Sequence, residues 1–393
     1  MHIGIDEKKF EKILDRIISP NNDNIFAIVN LIKGERISEA QEQIDRLVET
    51  KISLLAAELA DLATLQSLIN TNKSNAIFEK AIMLSPNNPR ILNGYALAQM
   101  DQGKIDEAEK IFIKVININS DDDIKEKAIG NLGVLYKNSG RYKEATDNLE
   151  RAIELAKKSN HHIGIVKHLN NLGACYHNMG RQDEAITTLE EALTEIKRLI
   201  DSSDEKEKRK NLKSIQADVF TNIAITFKNK FLKSSNEAFL EQAKSCLERA
   251  IDIEESLDNT GLLGRHFGNL AEVYRLQGDR KNHEKFINKS FLEFKNSGTL
   301  KDKLTSEMNM GLFFSQYDNH TKSLMYFESL LSNPDLKKFP KLNVLTLINA
   351  SYSYEQSNQK DRAKELIIEA HTLALIFDLK YEVEYIESNL AIA

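Results

Sequence analysis

Two stretches of the chain decide the fold, AIGNLGVLYKNSGRYKEA at residues 128–145 and HLNNLGACYHNMGRQDEA at residues 168–185, because each is a near-copy of the other. The shared positions are Leu132, Gly133, Tyr136, Gly140 and Ala145 in the first copy and Leu172, Gly173, Tyr176, Gly180 and Ala185 in the second. Apolar residues at helical spacing on both sides of a glycine predict two amphipathic helices joined by a short turn. A glycine suits the turn because it adopts a left-handed conformation without steric cost.

Small side chains mark the place where the two helices of each unit meet. Gly133, Ala145 and Ala152 are expected to let the helices approach closely, with Tyr136 and Leu149 filling the space between them. The same frame recurs along most of the chain, at Phe78-Ala81-Pro86, Tyr95-Ala96-Gly103-Ala108, Ile223-Ala224-Ala243-Ala250, Leu270-Ala271-Gly278, Met310-Gly311-Phe327 and Ala350-Tyr354-Ala363-Ala370.

This frame resembles the tetratricopeptide repeat (TPR), a helix-turn-helix unit with a Leu-Gly pair, a tyrosine and spaced alanines. The resemblance implies an all-α fold, a right-handed TPR superhelix or α-solenoid. About eight units are predicted over residues 54–378, within an array at 54–393 that ends in a capping helix from Lys380. Residues 1–53 do not fit the frame and are predicted to be an N-terminal helical cap or a partner-binding segment. Repeat spacings of 40 residues or more resemble those of kinesin light chains and bacterial peptide-sensing regulators.

Composition limits the class of protein. With 28% charged and 41% apolar residues in 393, the chain is expected to fold rather than to be disordered. A net charge of −6 argues against general nucleic-acid binding. Two cysteines cannot form a disulfide framework, and the N-terminus has no signal-peptide pattern, so we expect a cytoplasmic protein without membrane spans.

The histidines and the cysteine near residue 170 raise the question of a metal or nucleophile site. His168 and Cys175 are seven residues apart, about 10 Å along a helix, and His177 points to the opposite side. A zinc site needs ligands three or four residues apart on one face. Metal binding is therefore not expected, and Cys175 is interpreted as a packing residue. No phosphate-loop, metalloprotease or nucleophile-elbow motif occurs, so neither catalysis nor a cofactor is predicted.

One feature recurs that packing does not require. The residue before the Leu-Gly position is asparagine in six consecutive units, at Asn131, Asn171, Asn222, Asn269, Asn309 and Asn349. Asparagine is a mediocre helix former, and the six should form a column along the array. In similar TPR proteins such a column lies on the concave surface and holds a peptide backbone, since an amide both donates and accepts hydrogen bonds. The alternative is that these asparagines only cap or bridge helices of the scaffold.

Basic residues are expected on the same surface. They are Lys127, Lys137, Lys167, His177, Lys228, Arg265 and Arg275, with Asp218 and Glu272 interrupting the series. A cationic lining predicts an extended acidic polypeptide as the partner. Nucleic acid is disfavoured because the few aromatic residues are needed in the core. The predicted function is a non-catalytic scaffold or adaptor that binds protein or peptide. The alternative is a bacterial regulator that changes its superhelix pitch when a signalling peptide binds.

Overall fold

The computed structural model describes residues 23–34, 36–118, 121–257 and 260–389. Throughout these residues the regular structure is helical, without a strand. The helices are α1 Asp23–Lys33, α2 Ile37–Ser67, α3 Thr71–Leu84, α4 Pro89–Asp101, α5 Ile105–Asn117, α6 Asp122–Asn138, α7 Tyr142–Lys158, α8 His162–Asn178, α9 Gln182–Asp201, α10 Lys206–Ser234, α11 Ala238–Ser256, α12 Thr260–Leu276, α13 Arg280–Ser297, α14 Leu300–Gln316, α15 His320–Ser332, a 3₁₀ turn Pro334–Lys338, α16 Pro340–Gln356, α17 Lys360–Ile376 and α18 Lys380–Asn389. The all-α prediction is confirmed.

The helices from α2 to α17 form eight consecutive pairs, each made of a first helix, a short turn and a second helix. The chain divides into two compact units, residues 1–155 and 156–393, and each is described by itself. The first unit contains the pairs α2–α3 and α4–α5 and most of α6–α7. The second contains the pairs from α8–α9 to α16–α17, followed by α18.

The turn glycines and the close helix contacts are as the sequence predicts. Gly140 has a φ of 75°. Further along, the equivalent positions are Asp318 and Asn358, with φ of 58° and 60°, a conformation that these short polar residues tolerate. At the helix contact, a Cβ added to Gly133 would lie 2.8 Å from Leu149 Cγ, so only glycine fits there without displacing the leucine.

The two ends of the array differ from its middle. In the second unit, Ile386 of α18 is fully buried in the cluster that contains Ala370 and Ala374, so α18 covers the last pair as a capping helix should. At the other end, the expected boundary after residue 53 lies inside α2, a continuous 31-residue helix. The division between a head segment and the array therefore stays a prediction. The sequence also predicts one helical stripe formed by Phe10, Ile13, Leu14, Ile17 and Ile18, and these residues lie outside the described part of the chain.

The long spacing between Asn171 and Asn222 has a simple structural cause. Helix α10 has 29 residues, whereas α8 and α12 have 17 each. From Lys206 onward, the charged stretch at residues 201–214 is part of α10. The extra residues lengthen this helix at both ends before the turn at Ser235.

Candidate functional site

The second unit contains a cavity of about 1030 Å³. Its walls come from α12, α14 and α16, the first helices of three consecutive pairs, and from one side of α13. Because first helices stack in parallel rows in such an array, equivalent positions in successive repeats face the same space. The lining therefore takes residues from three repeats.

Three asparagines of the predicted column line this cavity, Asn269, Asn309 and Asn349. All three are half-buried at equivalent positions, 40 residues apart. The side-chain amide of Asn349 donates to the backbone carbonyl of Leu345 at 2.7 Å, one turn back in its own helix. For Asn269 and Asn309, no side-chain hydrogen bond occurs within the described part of the chain. These two amides lie at a cavity wall without a hydrogen-bond partner among the described residues, so they are open to water or to a ligand.

The charges in the cavity are largely paired. The Arg275 guanidinium donates to the Glu272 carboxylate at 2.6 and 2.7 Å, and these hydrogen bonds raise the pKa of Arg275. Arg265 forms an ion pair with Asp218. Burial raises the pKa of Asp218, and the neighbouring arginine opposes this shift. The two acidic residues that interrupt the basic series in the sequence thus neutralise two of its arginines.

Further acidic side chains complete the lining. Besides Glu272, the cavity is bordered by Asp302 and Asp318, against two lining arginines. A predominantly cationic surface is therefore absent from the lining of this cavity. The remaining wall combines apolar and aromatic side chains such as Leu312 and Tyr352 with uncharged polar ones such as Thr305 and Gln316.

A buried histidine closes one side of the cavity. His283 is 5% exposed, its Nδ1 lies 3.1 Å from the Tyr317 hydroxyl, and its ring packs edge-on against Phe313 at 4.9 Å between centroids. Burial lowers the pKa of His283 to about 4. The imidazole is neutral at physiological pH, and it contributes a polar wall without charge.

Other members of the asparagine column serve the scaffold. In the second unit, Asn222 of α10 donates to Asn170 of α8 at 2.8 Å, which ties two first helices together. In the first unit, Asn131 of α6 donates to Asn93 of α4 at 3.2 Å. Asn171 donates to the carbonyl of Lys167 in its own helix at 3.0 Å. The column thus divides by role, with bridging at Asn131 and Asn222 and cavity lining from Asn269 onward.

The other predicted basic positions do not line the cavity. Lys127, in the first unit, forms an ion pair with Asp123 at 2.9 Å, and Lys137 is half-buried on the same helix. In the second unit Lys167 is exposed and Lys228 half-buried. His177 accepts a hydrogen bond from the Asn229 amide at 3.0 Å, and burial lowers its pKa, helped by Lys228.

The histidines and the cysteine near residue 170 lie in separate surroundings. His168 and Cys175 are both buried within α8, with Cys175 fully so, as a packing residue should be. His162 lies at the start of that helix, where its Nδ1 is 2.7 Å from a carboxylate oxygen of Glu195.

Sequence reasoning missed several lining residues, of which Tyr352, Leu312 and His283 are the most prominent. Tyr352 and Leu312 each follow a column asparagine by three residues, so helical spacing could have placed them on the same face. His283 comes from the second helix α13, and no periodic signal marks it.

Comparison with known proteins agrees with this architecture. Residues 88–158 and 126–194 match a family model described as tetratricopeptide repeat. No curated protein sequence is significantly similar to the chain.

Solved structures with the same architecture include three that span most of the chain. The apo form of the quorum sensor NprR from B. thuringiensis is 12% identical, covers 93% of this chain and 99% of its own, and has a TM-score of 0.59. Aspartyl phosphate phosphatase F from Bacillus subtilis is 13% identical, with 93% and 87% coverage and a TM-score of 0.51. A human IFIT1 dimer solved with PPP-AAAA is 15% identical, with 93% and 85% coverage and a TM-score of 0.50.

At these identities the likeness is one of fold alone. In the described residues no helix is both long and apolar enough to cross a membrane. The tetratricopeptide-repeat fold is generally a non-catalytic interaction scaffold. Residues 88–194 match the family model, so this part of the chain contains tetratricopeptide repeats, and the other described helix pairs repeat the same helix-turn-helix architecture.

Proposed function

We propose that this protein binds an extended polypeptide segment in the cavity lined by α12, α14 and α16. The observation that carries the proposal is the position of Asn269 and Asn309 on the cavity wall, half-buried and without hydrogen-bond partners among the described residues. A half-buried amide that lacks a protein partner is available to a ligand. Once a ligand closes the site, leaving this amide unpaired would cost free energy, so a ligand that bonds it is favoured.

The chemistry of the asparagine amide suits a peptide backbone. Each amide can donate to a backbone carbonyl and accept from a backbone N–H of the same ligand, whatever the ligand's side chains are. First helices of neighbouring pairs pack about 10 Å apart, which an extended chain spans in about three residues. Asn269 and Asn309 would therefore hold backbone groups about three residues apart, with ligand side chains directed toward Leu312 and Tyr352.

The charge balance favours a segment that is not strongly acidic in the part that enters this cavity. The two arginines of the lining are paired with Glu272 and Asp218, and the lining has two further carboxylates, Asp302 and Asp318. The acidic partner predicted from the sequence stays a prediction that depends on the basic residues elsewhere, such as Lys167. The same carboxylates disfavour a nucleic acid, whose phosphates they would repel.

The test starts with a library of random linear peptides displayed on phage, selected against the full-length protein. Enriched peptides are then labelled, and their binding is measured by fluorescence anisotropy. The double variant Asn269→Ala/Asn309→Ala should bind them about 10- to 100-fold more weakly, since two bidentate contacts are lost. Asn288→Ala is the matched control, because Asn288 is an exposed asparagine on α13 outside the cavity and bonds its own helix.

The proposal fails if the selected peptides bind the double variant as tightly as they bind the wild type. It also fails if no peptide is enriched while a single-stranded oligoadenylate binds with comparable strength to both proteins. Small-angle scattering on the peptide complex separates a scaffold from a switch. A scaffold keeps its radius of gyration, whereas a regulator whose superhelix pitch changes becomes more compact.

A further inference from the structure

Helix α2 of the first unit has two apolar faces. One face is lined by Ala56 and Ala63, both fully buried, which pack in clusters with Ala81 and Ile91 and with Phe78 and Ala98 of α3 and α4. These contacts account for the attachment of α2 to the array. A second face, about 100° around the helix from these alanines, is not used by these contacts.

That second face exposes a stripe of large aliphatic side chains, here called the α2 stripe. Its members are Ile44, Val48, Leu55, Leu62 and Leu65, which are 36–61% exposed. Their spacings of four, seven, seven and three residues place them on one side of the helix. The stripe runs for about 32 Å at 1.5 Å per residue. An apolar strip of this length on a surface marks an interaction site.

Two charged residues lie within the stripe, Lys51 and Glu58, both exposed. They are seven residues apart, about 10 Å along the helix, which is too far for an ion pair within one chain. Neither forms an ion pair with another residue in the described part of the chain. The other acidic residues of this helix, such as Asp45 and Asp61, lie about 100° or more around the helix from the centre of the stripe.

The positions of these charges select the partner. In a parallel pairing of two α2 helices, Lys51 would face Lys51 and Glu58 would face Glu58, and both contacts are repulsive. In an antiparallel pairing centred near Leu55, Lys51 of one copy lies next to Glu58 of the other, and Val48 lies near Leu62. Two-fold symmetry makes this contact twice.

We propose that the α2 stripe is a self-association surface on which a second copy of this chain packs antiparallel through the same helix. A lipid surface fits less well, because interfacial helices flank their apolar face with lysine and arginine, and here Asp45 and Asp61 stand at those places.

Sedimentation of the full-length protein over a range of concentrations tests the proposal. The wild type should approach twice the 44.7 kDa of one chain as its concentration rises. Leu55→Glu and Leu62→Glu should each raise the dissociation constant about tenfold or more, since each buries an unpaired carboxylate in both copies. Ile113→Glu is the control, because Ile113 is a 42% exposed residue on α5 outside the stripe, and this variant should associate like the wild type.

Exchanging the charges of Lys51 and Glu58 provides the most specific test of the antiparallel pairing. Lys51→Glu and Glu58→Lys should each weaken association about tenfold, since two contacts turn repulsive. The double variant Lys51→Glu/Glu58→Lys restores both contacts and should return to within about threefold of the wild type. Circular dichroism confirms folding of each variant.

Three outcomes would overturn the proposal. The first is a wild type that stays at the mass of one chain at every concentration. The second is a double variant that is no better than either single one. The third is binding of the monomer to phosphatidylcholine–phosphatidylserine vesicles that Leu55→Glu abolishes.

Discussion

Replacing Gly133 by alanine tests whether the close contact between the first and second helix holds a repeat together. The added Cβ would lie 2.8 Å from Leu149 Cγ, 3.1 Å from its Cδ2 and 3.3 Å from the Ala145 carbonyl oxygen. Leu149 is fully buried and cannot turn away. Overpacking of this kind costs about 1–3 kcal/mol, whereas alanine gains about 1 kcal/mol over glycine inside a helix. Because 2.8 Å is shorter than ordinary Cβ contacts, the upper part of this cost range applies, about 2–3 kcal/mol, and we expect a net loss of about 1–2 kcal/mol.

Gly94 provides the matched control in the same unit. It also lies inside a first helix, α4, but there a Cβ would meet only the Phe78 ring, at 3.5 Å, an ordinary van der Waals distance. The helix preference then acts alone, and Gly94→Ala should stabilise the protein by about 0.5–1 kcal/mol. The same substitution in two first helices should thus have opposite signs.

Urea unfolding followed by circular dichroism measures both variants. In a repeat array stability is approximately a sum of local terms, so each change should shift the transition of the first unit. A Gly133→Ala variant as stable as the wild type, or more stable, would refute the reasoning from the close contact. An equally destabilised Gly94→Ala variant would refute it as well, because the loss would then not depend on the close contact.

Further predictions concern the second unit. His266 and His283 are buried, and burial lowers the pKa of each to about 4 from an ordinary value of 6.5. Between pH 6.5 and 4 the unfolded state binds more protons than the folded state. The free energy of unfolding is therefore highest above pH 6.5, and it falls by on the order of 3 kcal/mol for each histidine as the pH drops toward 4. Urea unfolding measured across this pH range should show the decline. Replacing both histidines by glutamine should make the free energy of unfolding nearly independent of pH in this range. A wild type that is equally stable at pH 4.5 and 7 would contradict the lowered pKa values. Asn222→Ala should cost about 1 kcal/mol, because it breaks the bond to Asn170, whereas Asn309→Ala should change stability by less than about 0.5 kcal/mol. Thermal melts compare the two, and equal losses would contradict the division of roles in the column.

The sequence is informative about the fold because the repeat contact is local and strict. The Gly133–Leu149 and Gly173–Leu189 contacts recur at one spacing, and the glycines permit no larger side chain at either place. Periodicity therefore predicts the pairs and the turns. It does not predict the length of α10, since the charged residues 206–214 favour a helix and a solvated loop about equally. The continuation of α2 through residue 53 is compatible with the sequence, because neither proline nor glycine interrupts that region.

The site was predictable only in part, and the reason is chemical. The register of the asparagine column follows from the repeat, and three of its members do line one cavity. What each amide bonds depends on its neighbour in space, as with Asn222, whose acceptor Asn170 lies 52 residues earlier. Charge pairing between helices is equally hidden, since Arg265 and Asp218 are 47 residues apart. The predicted basic lining of the concave surface therefore stays a prediction, whereas this one cavity has two arginines and three carboxylates in its lining.

The side-chain amide resonances of Asn269 and Asn309 provide the most direct test of peptide binding. They can be observed by nuclear magnetic resonance in protein labelled with ¹⁵N at asparagine, and assigned from the two alanine variants. Titration with a phage-selected peptide should shift both resonances, because their N–H groups change from water to a backbone carbonyl. The amide of Asn222, which is bonded to Asn170, should stay in place. A peptide that binds without moving the resonances of Asn269 and Asn309 would contradict the proposed site.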